Sequence, residues 1–390
     1  MQQKGYKMTS LLATDFTVKP KRHFAYLDAI RGLAALAVIC EHYIIAYGLP
    51  CRDLACQKIM DYSPLNFWWD GSAAVAMFFV LSGLVLSLKY FQTGSGLDLN
   101  QFHLGRYVLG RLFRIWLPYG VVLLISAGLY LYATRQPLLN TLLPASEWII
   151  GLWNSHPLSL IDMLREAFLL KLPELVVLLP QAWTLTIELV LSLLLPIGLI
   201  LAQRGVLWLM FFSVFAVSFL GVSLFLLHFV VGLLIAQHHA RIDYYLNDKP
   251  GLRRSVLWVG LSFYASGSII HQNLGDTVVT LTYALGSGLI LLYVLCSQRS
   301  QQLLSYSLFR QLGKVSYSAY LIHMAILICL TPHLLKALES LTSNHLGLWL
   351  GGWLSTVLVV QVLSLLFFQL LEKPCINIGR QAVNRLYPSR

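Results

Sequence analysis

The sequence predicts an all-α polytopic membrane protein with about ten transmembrane helices and both termini on the cytoplasmic side. Hydrophobic residues make up 57% of the 390-residue chain and charged residues only 12%, with a mean hydropathy of +0.68. That leaves too little polar surface for a water-facing domain. Apolar runs such as 72–88, 120–133 and 352–371 suit helices of roughly 20 residues, the length that crosses a hydrocarbon core of about 30 Å. In lipid every backbone polar group must be paired internally, and the alternating ten-residue pattern of barrel strands is absent. The third observation is an uneven distribution of Lys and Arg between the loops.

In chain order, residues 1–24 read as a polar cytoplasmic leader. It has no short apolar core followed by a small-residue cleavage site, so no removable signal peptide is expected. Residues 25–375 read as one transmembrane domain with spans near 32–50, 70–90, 112–133, 182–202, 206–220, 222–238, 255–271, 277–296, 315–334 and 347–371, and residues 376–390 as a cytoplasmic tail. With the N-terminus inside, the inner segments hold 21 Lys and Arg and the outer segments 6. Basic residues in short loops are retained on the cytoplasmic face, which sets this orientation.

The same bias accounts for the net charge of +11; no nucleic-acid-binding fold motif or base-stacking pattern accompanies it. The longest outer stretch, 134–181, carries two Trp and an apolar run ending at Pro180, the pattern of an interfacial or re-entrant helix. The six cysteines show no metal-ligand spacing, and no metal is expected. Only Cys51 and Cys56 share a polar outer loop, where a small disulfide is one possibility.

Four regions carry candidate chemistry. The first span contains Arg31 and, eleven residues on, His42, with Glu41 before it. Eleven residues are close to three helical turns, so both side chains share a face and His42 lies about 16 Å deeper. An ionisable group in a span is expensive and marks a functional site by default. Arg111 and Arg114 stand one turn apart at the cytoplasmic start of the third span, where two guanidiniums can hold phosphates bidentately or simply anchor the helix. Glu188 follows Trp183 into a span from the outer side, and Ser316, Tyr320 and His323 fall at i, i+4 and i+7 of another, a stripe that also suits helix-packing glue.

With Phe78-Phe79-Val80-Leu81-Ser82-Gly83 in the second span, Trp183-Thr184-Leu185-Thr186-Ile187-Glu188, Ser316-Tyr317-Ser318-Ala319-Tyr320-Leu321-Ile322-His323 and Glu372-Lys373-Pro374 closing the last span, these regions resemble the membrane-bound acyltransferase-3 family. The resemblance covers about residues 24–375, in the family's order. It implies transfer of an acyl group, usually acetyl, from cytoplasmic acyl-coenzyme A to a hydroxyl of a carbohydrate or glycolipid acceptor, often on the outer side. It implies His42 as the catalytic histidine, Arg31 as its partner with Glu188 in the same machinery, and Arg111 and Arg114 as the essential arginine pair. Donor contacts are expected from Arg111, Arg114, Ser316, Tyr320 and His323. The partners expected are the lipid bilayer, acyl-coenzyme A and the acceptor, and the location a bacterial inner membrane.

The chemistry of the residues agrees: acyl transfer to an alcohol needs a base for the hydroxyl proton, a donor for the oxyanion and a cationic mouth for phosphates. Glu41 departs from the family pattern, which more usually has an apolar residue there. The reading from another class is a transporter or flippase of a lipid-linked or small anionic substrate, with His42, Glu188 and His323 as a proton relay. Matching broken spans in two related halves, which that reading favours, are absent from the sequence.

Overall fold

The structure, a computed structural model, describes residues 24–51, 53–91, 102–136, 139–154, 158–169 and 177–387. The expected leader, apart from Phe24, and the last three residues of the expected tail lie outside the described residues. Among the described residues the chain is helical throughout, with no strand. The helices are α1 (Ala25–Tyr47), α2 (Leu54–Tyr62), α3 (Gly71–Phe91), α4 (Leu104–Ala133), α5 (Glu147–Asn154), α6 (Leu160–Ala167), α7 (Ala182–Arg204), α8 (Val206–Phe219) and α9 (Phe225–Asn247). They continue as α10 (Pro250–Ala265), α11 (Gly267–Leu274), α12 (Asp276–Leu295), α13 (Gln298–Leu304), α14 (Ser307–Cys329), α15 (Thr331–Glu339), α16 (His345–Phe367) and α17 (Lys373–Leu386).

Among the described residues, eight helices are long and apolar enough to cross a membrane: α1, α3, α4, α7, α9, α12, α14 and α16 with its continuation. The two other expected spans are shorter helices. α8 has 14 residues, about 21 Å. The segment expected at 255–271 is divided into α10 and α11 at Ser266, whose hydroxyl donates to the Phe263 carbonyl at 2.9 Å, a local bond that competes with helix continuation.

α7 and α9 run in the same direction, because Trp183 meets Phe225 at their starts while Gln237 donates to the Ala202 carbonyl near their ends. α3 shares that direction, with Phe79 stacked on Phe225 and Gly83 against the Phe229 backbone. α12 does too: Thr280 faces His228, and Gly288 lies against Val231 and Ile235.

α1 and α14 form the centre, running parallel with their backbones in contact. A Cβ on Gly32 would lie 2.5 Å from Gly313 N, and one on Gly313 would lie 2.3 Å from the Asp28 carbonyl oxygen. Small residues permit such an approach, and in lipid close packing is what drives helix association. This contact sets α1 and α14 side by side through the level of His42 and His323.

In place of the single interfacial helix expected over 134–181, the described part holds two eight-residue helices, α5 and α6. Ser146 N–H donates to the Ala46 carbonyl at 2.7 Å, and the buried Glu166 carboxylate accepts from Val177 N at 2.6 Å and Leu178 N at 3.1 Å. Glu339 accepts from Leu142 N; the Lys336 ammonium beside it, with that backbone bond, holds its carboxyl below the usual carboxylate range. These bonds tie the segment across the ends of α1 and α15. Cys51 and Cys56 form a disulfide. The described part of the expected tail is the end of α17, docked on α4 through Gly379 against Phe113 and an Arg106–Asn384 hydrogen bond of 3.0 Å.

Candidate active site

α1, α3, α4, α7 and α14 enclose a cavity of about 130 Å³. Five of the residues singled out in the sequence that lie in this lining come from four helices: Arg31 (α1), Arg111 and Arg114 (α4), Glu188 (α7) and Ser316 (α14), with Tyr320 at the boundary described below. Phe78, Phe79 and Val75 of α3 give it an apolar wall. Arg111 is 8% exposed, donates from Nη2 to Glu188 Oε1 at 3.2 Å, and has no partner for Nε. A buried donor without a partner is costly unless something else supplies an acceptor.

Arg31 is held by Asp28 at 2.7 Å. Arg114 is exposed and makes no direct ion pair among the described residues; Glu372 acts on it and on Arg31 at longer range. Glu372 reaches this wall from a π-helical turn, Phe368–Glu372, that follows α16, and Ser318 donates a hydrogen bond to it. Such turns displace a side chain from the regular helical face and recur at functional sites.

Leu86, Arg111 and Arg114 also border a second, wider space of about 580 Å³ between α4, α17 and the end of α3. Its lining adds Lys89, Arg106 and Arg380 and the aromatic rings of Tyr90, Phe102 and Tyr107, with no carboxylate among the described lining residues. The inner cavity therefore adjoins a basic, aromatic-lined vestibule across Leu86, Arg111 and Arg114. Guanidinium groups bind phosphate oxygens bidentately, and aromatic rings offer a stacking surface for a base.

His42 and His323 stand beyond the opposite wall. The rings lie 5.1 Å apart, with His42 Nδ1 3.2 Å from His323 Nε2. His323 Nδ1 is 2.8 Å from the Tyr320 carbonyl oxygen. A carbonyl only accepts, so in the neutral His323 ring the proton sits on Nδ1 and Nε2 keeps its lone pair. His42 Nδ1–H then donates to that lone pair, with the Val38 carbonyl one turn back on α1 as a further acceptor for the ring, and the lone pair of His42 is left on Nε2. This is the tautomer a general base requires. Trp148 of α5 stacks on the His42 ring at 5.8 Å and 10°.

His42 lines a third cavity, of about 460 Å³, which shares Val75 and Tyr320 with the arginine-lined one. Tyr320 is fixed at this boundary: its hydroxyl donates to the Gln181 carbonyl at 3.1 Å and lies 2.6 Å from Thr184 Oγ1, while Gln181 Nε2 donates back to the Tyr320 and Leu321 carbonyls.

The structure thus regroups the expected residues. Arg31, Arg111, Arg114, Glu188, Ser316 and Tyr320 share one cavity. His323 lies outside that lining, beside His42, and His42 contacts His323 where Arg31 was the expected partner. Glu188 is engaged with Arg111, so His42, Glu188 and His323 do not form the chain a proton relay would use. Asp28, Thr184, Gln181, Trp148 and Glu372 were given no role by the sequence. Of these, Thr184 and Glu372 stood in the quoted motifs and Trp148 was one of the two Trp of the outer stretch, while Asp28 and Gln181 carried no signal.

Residues 24–368 match the family model described as an acyltransferase domain. The chain belongs to this acyltransferase family. No curated protein and no solved structure matches it. The membership makes the chain a membrane-embedded acyltransferase, transferring groups other than aminoacyl groups. An acyltransferase must bring an electrophilic carbonyl, a nucleophile and a base to one point, and in this member the boundary at Val75 and Tyr320 is where the cavities of the arginines and of His42 adjoin.

Proposed function

We propose that this membrane acyltransferase moves an acyl group, by family resemblance acetyl, from acyl-coenzyme A to a hydroxyl of a carbohydrate or glycolipid, in the inner membrane of a bacterium. The observation that carries the reading is the meeting of two unlike cavities at Val75 and Tyr320, with Arg31, Arg111 and Arg114 on one side and His42 on the other. The basic vestibule suits the phosphates of the donor, with Arg111 and Arg114 on the wall shared by vestibule and inner cavity. The unpartnered Arg111 Nε fits an anionic or carbonyl oxygen acceptor there.

In the proposed reaction His42 Nε2 takes the proton of the acceptor hydroxyl as its oxygen bonds to the thioester carbonyl carbon. The carbon–sulfur bond then breaks, and His42 returns the proton to the departing thiolate. The products are an ester and free coenzyme A. While His42 is charged, its Nδ1–H bond to His323 becomes charge-assisted and stronger.

Ten crossings with both termini cytoplasmic complete the proposal. The support is the common direction of α7, α9 and α12: the chain must return across the bilayer between α7 and α9, through α8, and again between α9 and α12, through α10 and α11. The 21-to-6 division of Lys and Arg supports the orientation.

The test replaces His42 by Ala and by Gln and measures transfer of labelled acetyl from acetyl-coenzyme A, with surface glycans of parent and deletion strains compared by mass spectrometry. General-base losses are about 10²- to 10⁴-fold, so both variants should lose nearly all transfer while inserting normally. Near-parental transfer by His42→Gln would make His42 a packing residue and defeat the proposal.

A further inference from the structure

Glu41 has no part in the reaction proposed above, and its surroundings are informative. It lies on α1 next to His42, and both line the outer cavity. Its carboxylate rests on the first turn of α3, facing the backbone N–H groups of Gly71 and Ser72; a Cβ on Gly71 would lie 1.8 Å from Glu41 Oε2. The free N–H groups and the positive end of a helix hold an anion at such a position. Gly71 is the residue that leaves room for it.

A helix start does not by itself need Glu41. α3 already has Asp70, whose Oδ1 accepts from Ala73 N at 2.8 Å and whose Oδ2 accepts from the Tyr283 hydroxyl at 2.5 Å. A second, independent feature points to a ligand. Gln181, 3% exposed, lines the same cavity; its Nε2 is spent on the Tyr320 and Leu321 carbonyls, and its Oε1 has no partner. The cavity therefore offers one anchored acceptor, the Glu41 carboxylate, beside the indole rings of Trp148 and Trp183, with the unpartnered Gln181 Oε1 buried in its wall. Among the described lining residues it has no Lys or Arg.

We infer that this cavity holds an uncharged polyhydroxyl unit, a sugar ring without an acidic substituent, and that Glu41 is a specificity-determining residue that takes its hydroxyl hydrogens. The inference rests on the acyl-transfer reading only for calling the sugar the acceptor; the binding itself stands apart. Hydroxyls are donors that match a carboxylate acceptor, and indole faces suit the apolar face of a sugar ring. A uronate carboxylate would meet Glu41, the one lining carboxyl among the described residues, with no Lys or Arg in the lining to offset the repulsion. The charge pattern is the reverse of the arginine-lined cavity across Val75 and Tyr320, so donor and acceptor are sorted by sign.

The experiment uses the full chain in lipid nanodiscs and equilibrium dialysis of radiolabelled methyl glucoside, methyl glucuronide and, separately, acetyl-coenzyme A. The parent should bind the glucoside at least tenfold more tightly than the glucuronide. Glu41→Gln, which keeps shape and removes charge, should weaken glucoside binding about tenfold, as for a lost hydrogen bond to a charged group. It should also narrow the preference over glucuronide and leave acetyl-coenzyme A binding unchanged. Trp148→Leu, at the exposed rim, should weaken the glucoside as well and gives a second reading if Glu41→Gln is not recovered folded. Sugar titrations that do not differ between parent and either variant, or a glucuronide bound as tightly as the glucoside, would overturn the inference and leave the donor reading intact. A parent that binds the glucoside as expected but not acetyl-coenzyme A would overturn the donor reading and support this one.

Discussion

Replacing His323 by Leu removes its Nε2 as an acceptor for His42 Nδ1, leaving the Val38 carbonyl as the remaining partner of the ring, and keeps an apolar side chain in a fully buried position. In the resting site this costs a neutral hydrogen bond, about 0.5–1.5 kcal/mol; once His42 carries the transferred proton the lost bond is charge-assisted, about 1.5–3 kcal/mol. Only the difference, about 1–2 kcal/mol, acts on the chemical step, which corresponds to about a 5- to 30-fold fall in kcat. A Gln carboxamide reaches the position of Nε2 and can accept from His42, so His323→Gln should recover much of the rate, whereas the shorter His323→Asn should not. The assay is steady-state transfer from acetyl-coenzyme A by the purified protein, with kcat and the donor KM measured separately. A positioning role lowers kcat and leaves the donor KM in place; a donor-binding role, the one expected for His323 from the sequence, raises the donor KM. Equal impairment of the Leu and Gln variants, or a raised donor KM with kcat unchanged, would refute the hydrogen-bonded pair as the reason His323 is there.

Three further outcomes follow from the same geometry. Arg111→Lys with Arg114→Lys keeps both charges but loses the planar fork, so membrane insertion should be normal and acetyl-coenzyme A affinity should fall about tenfold or more, read by a binding assay; unchanged affinity would reduce the pair to helix anchors. Gly313→Ala places a Cβ 2.3 Å from the Asp28 carbonyl oxygen and should destabilise the protein by about 1–3 kcal/mol, as overpacking does, while Gly128→Ala, with nothing within 4 Å of its Cβ, should leave thermal unfolding unchanged. In a cysteine-free background, a cysteine at position 250 should react with an impermeant reagent only after permeabilisation and one at position 340 in intact cells; the reverse pattern would invert the topology.

Much of the helical framework was legible because each span is a local property: a run of apolar residues with internally paired backbone can be read one segment at a time. The eight long helices all fall on expected spans. The expectation was least accurate where a local bond or a short segment interrupts the pattern, as at Ser266 between α10 and α11, or over 134–181, where docking against other helices divides the stretch into α5 and α6. Composition registers that such a stretch is apolar. It does not register which carbonyl, such as that of Ala46, ends up paired with it.

Within α1, helical periodicity alone placed Arg31 and His42 on one face, and the order of motifs along the chain identified the residues worth examining. Partners were decided elsewhere. Arg111 and Glu188 are 77 residues apart and His42 and His323 are 281 apart, each pair on helices whose exposure to lipid looks alike in sequence. In a bilayer, hydropathy commits a helix to the membrane but does not select its neighbour, because lipid and apolar side chains solvate it about equally. That selection came from the contact of Gly32 with Gly313, which brings α1 and α14 close enough for His42 to meet His323. The tautomer of His42, the anchoring of Glu41 on Gly71 and the separation of a cationic cavity from an anionic one all follow from which helices touch, and so belong to the tertiary structure.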